Sequence, residues 1–209
     1  MAETHYKPHI AVGVHGGMTL SKVSFSPSVP QKWGDGFTGG VSFSYSEEKL
    51  VGILAEINVV QRGWSENFED SPLTYQRTGT YISLPVMTHI HFGGKRVKCI
   101  VNLGPEFSYL LSESTSSNFD YSNPESNPSW PEKSRMTEQL TTPIKHKFDY
   151  GITAGAGVEF WAKPRHSVYF EARFYYGLGN IFPASKADTF GASRLMNLAV
   201  TFGYNFRLK

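Results

Sequence analysis

Eight segments of the chain alternate strictly between large apolar side chains and small or polar ones, each over roughly 8 to 15 residues, and no 3.6-residue period is sustained. A period of two predicts β-strands, because successive side chains of a strand point to opposite faces. The first apolar face carries Ile10, Val12, Val14, Met18 and Leu20, and the eighth carries Met196, Leu198, Val200, Phe202, Tyr204, Phe206 and Leu208. Six more lie within 37–45, 51–59, 82–92, 97–109, 148–160 and 168–178. No charged residue interrupts any of them.

Alternation of this kind fits a soluble barrel with an apolar interior and a membrane barrel with an apolar exterior equally well. The opposite face separates the two. It holds Gly13, Gly17, Gly40, Gly104, Gly155 and Gly203, together with Ser42, Asn58, Asn102, Thr153, Thr201 and Asn205. A solvent surface is normally rich in Lys and Glu, whereas small residues suit the narrow lumen of an eight-stranded barrel. The apolar face is therefore expected to meet lipid.

Connection lengths agree, since outer-membrane barrels have short turns on the periplasmic side and longer loops outside. Tight turns are expected at Ser46-Glu47-Glu48-Lys49, Gly93-Gly94-Lys95 and Ala162-Lys163-Pro164-Arg165. The other four connections, near residues 21–36, 63–78, 111–147 and 179–193, are long and rich in Ser, Pro, Asn and Gly. The expectation is an all-β, eight-stranded antiparallel up-and-down transmembrane barrel, one domain over residues 1–209, in the bacterial outer membrane with both termini periplasmic. A soluble sandwich is the structural alternative. Tyr45, Phe92, Tyr109, Phe160, Trp161 and Tyr204, near the strand ends, are candidates for interfacial girdles, although β-propensity alone also enriches aromatics in strands.

Composition narrows the class further. Twenty Lys and Arg against 18 Asp and Glu give a net charge of +2, too balanced for a nucleic-acid surface or a polybasic tail. The single Cys99 excludes an internal disulfide and any multi-thiolate metal site. No stretch approaches the roughly 18 apolar residues of a spanning helix. The polar start Met1 to Lys7 carries no signal-peptide core, so export requires a leader already removed.

Val12-Gly13-Val14-His15-Gly16-Gly17-Met18-Thr19-Leu20-Ser21, Tyr81-Ile82-Ser83-Leu84-Pro85-Val86, Asn102-Leu103-Gly104-Pro105-Glu106 and the run from Phe148 to Phe160 resemble the PorT-like outer-membrane β-barrel family of Bacteroidetes. The resemblance runs from the first strand to the last. It implies an eight-stranded outer-membrane barrel, with the namesake branch associated with the type IX secretion system. Its motifs mark the barrel strongly and function weakly. The end Phe206-Arg207-Leu208-Lys209 departs from the terminal aromatic residue common in such barrels, so the assembly machinery either reads Phe206 or tolerates the difference.

Candidate chemistry sits in the lumen and the longest loop. Inward positions carry Glu56, Lys98, Glu106, Asp149, Glu159, Glu171, Arg173 and Arg207, with Arg62 near the outer rim. Strand direction puts Glu56, Glu171 and Arg173 near mid-height and Glu159, Arg207 and Lys98 toward the periplasmic end. Isolated buried charges are costly, so pairing is expected. A salt-bridged plug is favoured over a gated polar path, because eight strands leave room only for side chains. His9, His89 and His91 share a rim, but two His on one strand are a weak metal pattern, and no metal or cofactor is expected. Neither a Gly-x-Ser-x-Gly elbow nor HExxH occurs, and His146 lies among Ser, Asp and Glu residues of a loop, a neighbourhood such loops supply routinely. Loop 111–147 contains Tyr121, Trp130 and Met136, residue types that serve as recognition anchors, while a mobile shielding loop accounts for them equally well. The reading is a non-enzymatic structural or interaction component whose partners are outer-membrane lipid and other outer-membrane or secretion-complex proteins, with no nucleic acid; a lipid-modifying barrel enzyme and a narrow pore are the alternatives.

Overall fold

The structure is a computed structural model that describes residues 8–46, 50–69, 71–131, 136–185 and 188–208. The polar start, Lys209 and positions 47–49 of the first expected turn lie outside them. Nine strands run in chain order: β1 (His9–Ser26), β2 (Gln31–Lys32), β3 (Gly34–Ser46), β4 (Val51–Glu66), β5 (Tyr75–Gly93), β6 (Val97–Ser117), β7 (Phe148–Lys163), β8 (His166–Gly177) and β9 (Ala192–Arg207). All but β2 join one closed antiparallel ring, in the order β4-β3-β1-β9-β8-β7-β6-β5, sealed by pairing of β4 with β5. β2 is a two-residue strand laid beside the end of β4. Every ladder partner is thereby internal, which leaves the ring no open edge.

Two adaptations close the wall. Gly93, at φ +134°, takes a backbone conformation that a side chain rarely permits, and so allows the tight β5–β6 turn. Leu111 is left unpaired where Tyr81 faces Leu110 and Thr80 faces Ser112, a bulge that bends β5 and β6 toward their loop end.

The alternating faces lie as the pattern requires. Met18, Phe37, Leu103, Ile152 and Phe202 point outward, with Met18 70% and Phe202 60% exposed, which makes sense only against lipid. No helix among the described residues is long and apolar enough to cross a membrane.

The strands run further than expected. β6 has 21 residues, about twice the roughly 9–11 that a tilted strand needs to cross the hydrocarbon. The connections expected near 21–36, 63–78, 111–147 and 179–193 shrink accordingly to 27–33, 67–74, 118–147 and 178–191. The reason is a phase inversion above the lipid band. On β1 the outward positions change from Met18 and Leu20 to Lys22, Ser24 and Ser26, while the inward ones change from Gly17 and Thr19 to Val23 and Phe25. Beyond the bilayer the wall meets water, so the apolar face turns inside. Val23, Phe25, Trp64, Tyr75, Phe182 and Leu195 form a buried apolar core there, capped by residues of the connections.

Candidate functional site

The lumen is filled in tiers, each built by inward residues of different strands. The central tier joins β4 to β8, which stand opposite in the ring. Arg173 on β8 donates from Nη1 to Oε2 of Glu56 at 2.6 Å and from Nη2 to Oε1 at 3.0 Å, a bidentate pair across the barrel. Arg173 also donates from Nε and Nη2 to Glu171 on its own strand, at 3.2 and 2.8 Å. Asn58 donates to Glu56 at 2.9 Å, and Asn102 on β6 donates to Glu171 at 2.9 Å. One arginine thus holds two carboxylates, and two amides take up further acceptor capacity. Buried charges persist under these conditions, because the geometry is bidentate and the lone pairs are used. Gly155 on β7 makes room for this arrangement: a Cβ there would collide with the Glu171 carboxylate.

The next tier lies toward the loop end. Arg62 on β4 pairs with Glu106 on β6, donates to the Ser108 hydroxyl at 3.2 Å and stacks 4.0 Å over the Tyr175 ring. The Tyr175 hydroxyl in turn donates to Asp149 Oδ2 at 2.8 Å. A third tier closes the mouth with the longest connection. Arg77 on β5 donates to Glu113 at 2.9 Å and to the carbonyl oxygen of Thr142 at 2.7 Å, beside a short helix, α1 (Glu138–Thr141). Gln139 of that helix is fully buried and donates to Glu66 at 3.2 Å. Tyr75 donates to the Leu140 carbonyl at 2.9 Å.

At the turn end, Glu159 accepts from Ser167 at 2.7 Å, from the Trp161 indole at 2.8 Å and from Asn205 at 3.3 Å. Arg207 and Lys98 lie over Trp161, 4.2 and 5.3 Å from its ring centre. Trp161, a candidate for a lipid-facing girdle from its position near a strand end, points into the lumen instead, because it shares the inward parity of Glu159. The rings of His89 and His91 are 5.3 Å apart and those of His9 and His91 6.1 Å. His89 Nδ1 meets Asn102 Oδ1 at 2.7 Å. Among the described residues no three His, Cys, Asp or Glu side chains are set to hold a metal.

The structure therefore brings Glu56, Glu171 and Arg173 together at the centre and Glu159, Arg207 and Lys98 together at the turn end. Tyr121, Trp130 and Met136 are half-buried, packed against the apolar core at the loop end. Trp130 meets Phe68 and Phe119 edge-on or tilted at 5.7 and 5.9 Å, and Tyr121 meets Tyr75 at 5.7 Å. Arg77, Glu66 and Gln139 are the lumen residues that sequence reasoning missed. For Arg77 the signal is the inward parity of Tyr75, Arg77, Gly79 and Tyr81, which begins in a stretch expected to be a loop.

A closed eight-stranded ring, apolar outside and ion-paired within, defines a small transmembrane β-barrel of the bacterial outer membrane. The chain belongs to the family described as outer membrane protein beta-barrel domain, whose model matches residues 6–183. Among solved structures it is similar to the outer membrane protein OprG from Pseudomonas aeruginosa, at 8% identity over 95% of either chain with a TM-score of 0.54. It is also similar to Ail, the attachment invasion locus protein of Yersinia pestis, at 13% identity over 94% of this chain and 98% of that one, TM-score 0.42. Neisserial surface protein A is 15% identical over 94% and 97%, TM-score 0.44. No curated protein matches the chain.

Proposed function

We propose that this barrel is a closed, non-enzymatic structural or interaction component of the outer membrane, with its termini and short turns in the periplasm and its longer connections outside. The observation that carries the reading is the Arg173–Glu56 bridge, which occupies the centre of a lumen only wide enough for side chains. The segments that resemble PorT-like barrels support placing it in that branch, as an accessory subunit of a secretion or assembly complex. Connection 118–147 is the surface best suited to a partner. Its Tyr121, Trp130 and Met136 give it a folded shape by packing inward, so recognition uses the outer face of an ordered loop. Purified protein in planar bilayers is expected to show no steady conductance, and reproducible open channels would overturn the closed reading. Pulldown from native membranes in mild detergent tests the accessory role: a stoichiometric outer-membrane partner supports it, and a lone barrel rejects it.

A further inference from the structure

The turn end carries a concentration of positive charge that ion pairs among the described residues do not neutralise. The β5–β6 turn supplies Lys95 and Arg96, the end of β7 and the turn after it supply Lys163 and Arg165, and Lys98 and Arg207 rise from the lumen between them. Two backbone hydrogen bonds tie the groups into one surface: Trp161 N–H to the Arg96 carbonyl and Arg207 N–H to the Arg165 carbonyl, both 2.8 Å. Five of these cations line a groove of about 440 Å³ with Trp161 in its wall, and no carboxylate is among its described lining residues. Nor does any of the six form an ion pair with another described residue. Glu159, the acid beneath, already accepts three hydrogen bonds. The Arg207 Nε is buried without a hydrogen-bond partner among the described residues.

The height of the groove says what kind of anion it meets. Phe92, Val97, Phe160 and Leu208, all about half exposed and outward-facing, end the lipid band directly below it. Side chains one step beyond the last lipid-facing residue stand at the level of lipid phosphates, where each Lys or Arg adds about 1 kcal/mol of attraction to an anionic surface. Arg and Lys are the side chains suited to phosphate, Arg through its fork and Lys as a point charge.

We propose that this groove is a docking site for the headgroup of an anionic phospholipid, held by the turn cations with its acyl chains along the outer wall at Phe160 and Val97. The leaflet that provides it is the periplasmic one, a clause that rests on the orientation proposed above; headgroup selectivity itself does not depend on that orientation. The test is electron spin resonance on barrel reconstituted in phosphatidylcholine vesicles, comparing spin-labelled phosphatidylglycerol with spin-labelled phosphatidylcholine in the motionally restricted shell around the protein. Wild type is expected to prefer phosphatidylglycerol by about fivefold at low salt, from one cation's share of attraction, and to lose the preference as salt is raised. The variant K95Q/R96Q/K163Q/R165Q changes only exposed residues at and beside the turns and is expected to lose most of the preference, with Lys98 and Arg207 left in the groove. Equal association of both lipids with wild type, or full preference retained in a variant whose heat-modifiable gel shift shows it folded, would overturn the proposal. So would a groove that captures soluble polyglutamate while ignoring phosphatidylglycerol. If the variant does not fold, a salt-insensitive preference in wild type rejects the proposal on its own.

Discussion

Glu56 and Arg173 lie 117 residues apart in sequence and meet across the full width of the barrel, with both carboxylate oxygens engaged by both terminal guanidinium nitrogens. The pair ties β4 to β8 without passing through any neighbouring ladder. Its partner Glu171 makes the ensemble a charge triad of one cation and two anions, so the cation has the greater weight. Arg173→Met leaves two buried carboxylates without a guanidinium, Glu56 facing only His15 as a basic group, at 3.8 Å, and is expected to cost about 3–5 kcal/mol. Glu56→Gln keeps Arg173 paired with Glu171 and is expected to cost distinctly less. Urea unfolding in detergent, followed by heat-modifiable gel mobility, measures both; equal stability of the two variants would show that the triad does not act as described.

Leu103 sits on the lipid-facing side of β6, midway along the band, 54% exposed. Leu103→Arg is expected to destabilise the folded barrel in lipid vesicles by about 2–4 kcal/mol, the cost of a charge at the bilayer midplane. Leu111→Arg, outward at the loop end of the same strand, is expected to cost about 1 kcal/mol or less, since the penalty fades toward the interface. The same loss at both sites would mean that the lipid band is misplaced.

Gly155 borders the Glu171 carboxylate so closely that any Cβ collides with it. Gly155→Ala is expected to shift Glu171 away from Arg173 and to cost about 1–3 kcal/mol, the usual range for overpacking. In an Arg173→Met background Glu171 loses its ionic anchor and keeps only the hydrogen bond from Asn102, so the same substitution is expected to cost less. A double-mutant cycle measures this coupling, and strict additivity would reject it.

Most of the barrel was legible because lipid and a crowded lumen impose one parity along each strand, as in Val97, Val101 and Leu103 outward against Lys98, Asn102 and Gly104 inward. At Trp161 parity with Glu159 points inward, and proximity to a strand end is the weaker guide. The loop-end halves of β1, β4 and β5 were missed for a different reason. There the environment outside the wall changes from lipid to water, so the apolar parity flips between Leu20 and Val23, and a search for one constant face stops at the flip. Which residues meet across the lumen depends on strand order and stagger around a closed ring. Glu56 with Arg173 and Arg62 with Glu106 could be placed by height, but their partners could not be read from spacing.

Arg77 is where the membrane barrel and its longest connection are joined. Its guanidinium is buried among the Trp64 and Phe182 rings, 5.6 and 5.9 Å from their centres, and donates to Glu113 and to the Thr142 carbonyl. α1 has only four residues, far below the length at which a helix holds its shape alone, so its position depends on such contacts. Arg77→Ala removes the donor to a carbonyl that faces the closed mouth and strips a cation from two aromatic faces. The local cost is expected to be about 1–3 kcal/mol, felt in 118–147 and not in the lipid band. Limited proteolysis should then cleave that connection faster while the heat-modifiable shift of the barrel is kept. Arg77→Lys retains the charge opposite Glu113 without the planar fork, and should fall between the two. Unchanged protection in Arg77→Ala would mean that the buried Leu140 and Ile144, and not the arginine, hold the connection in the mouth.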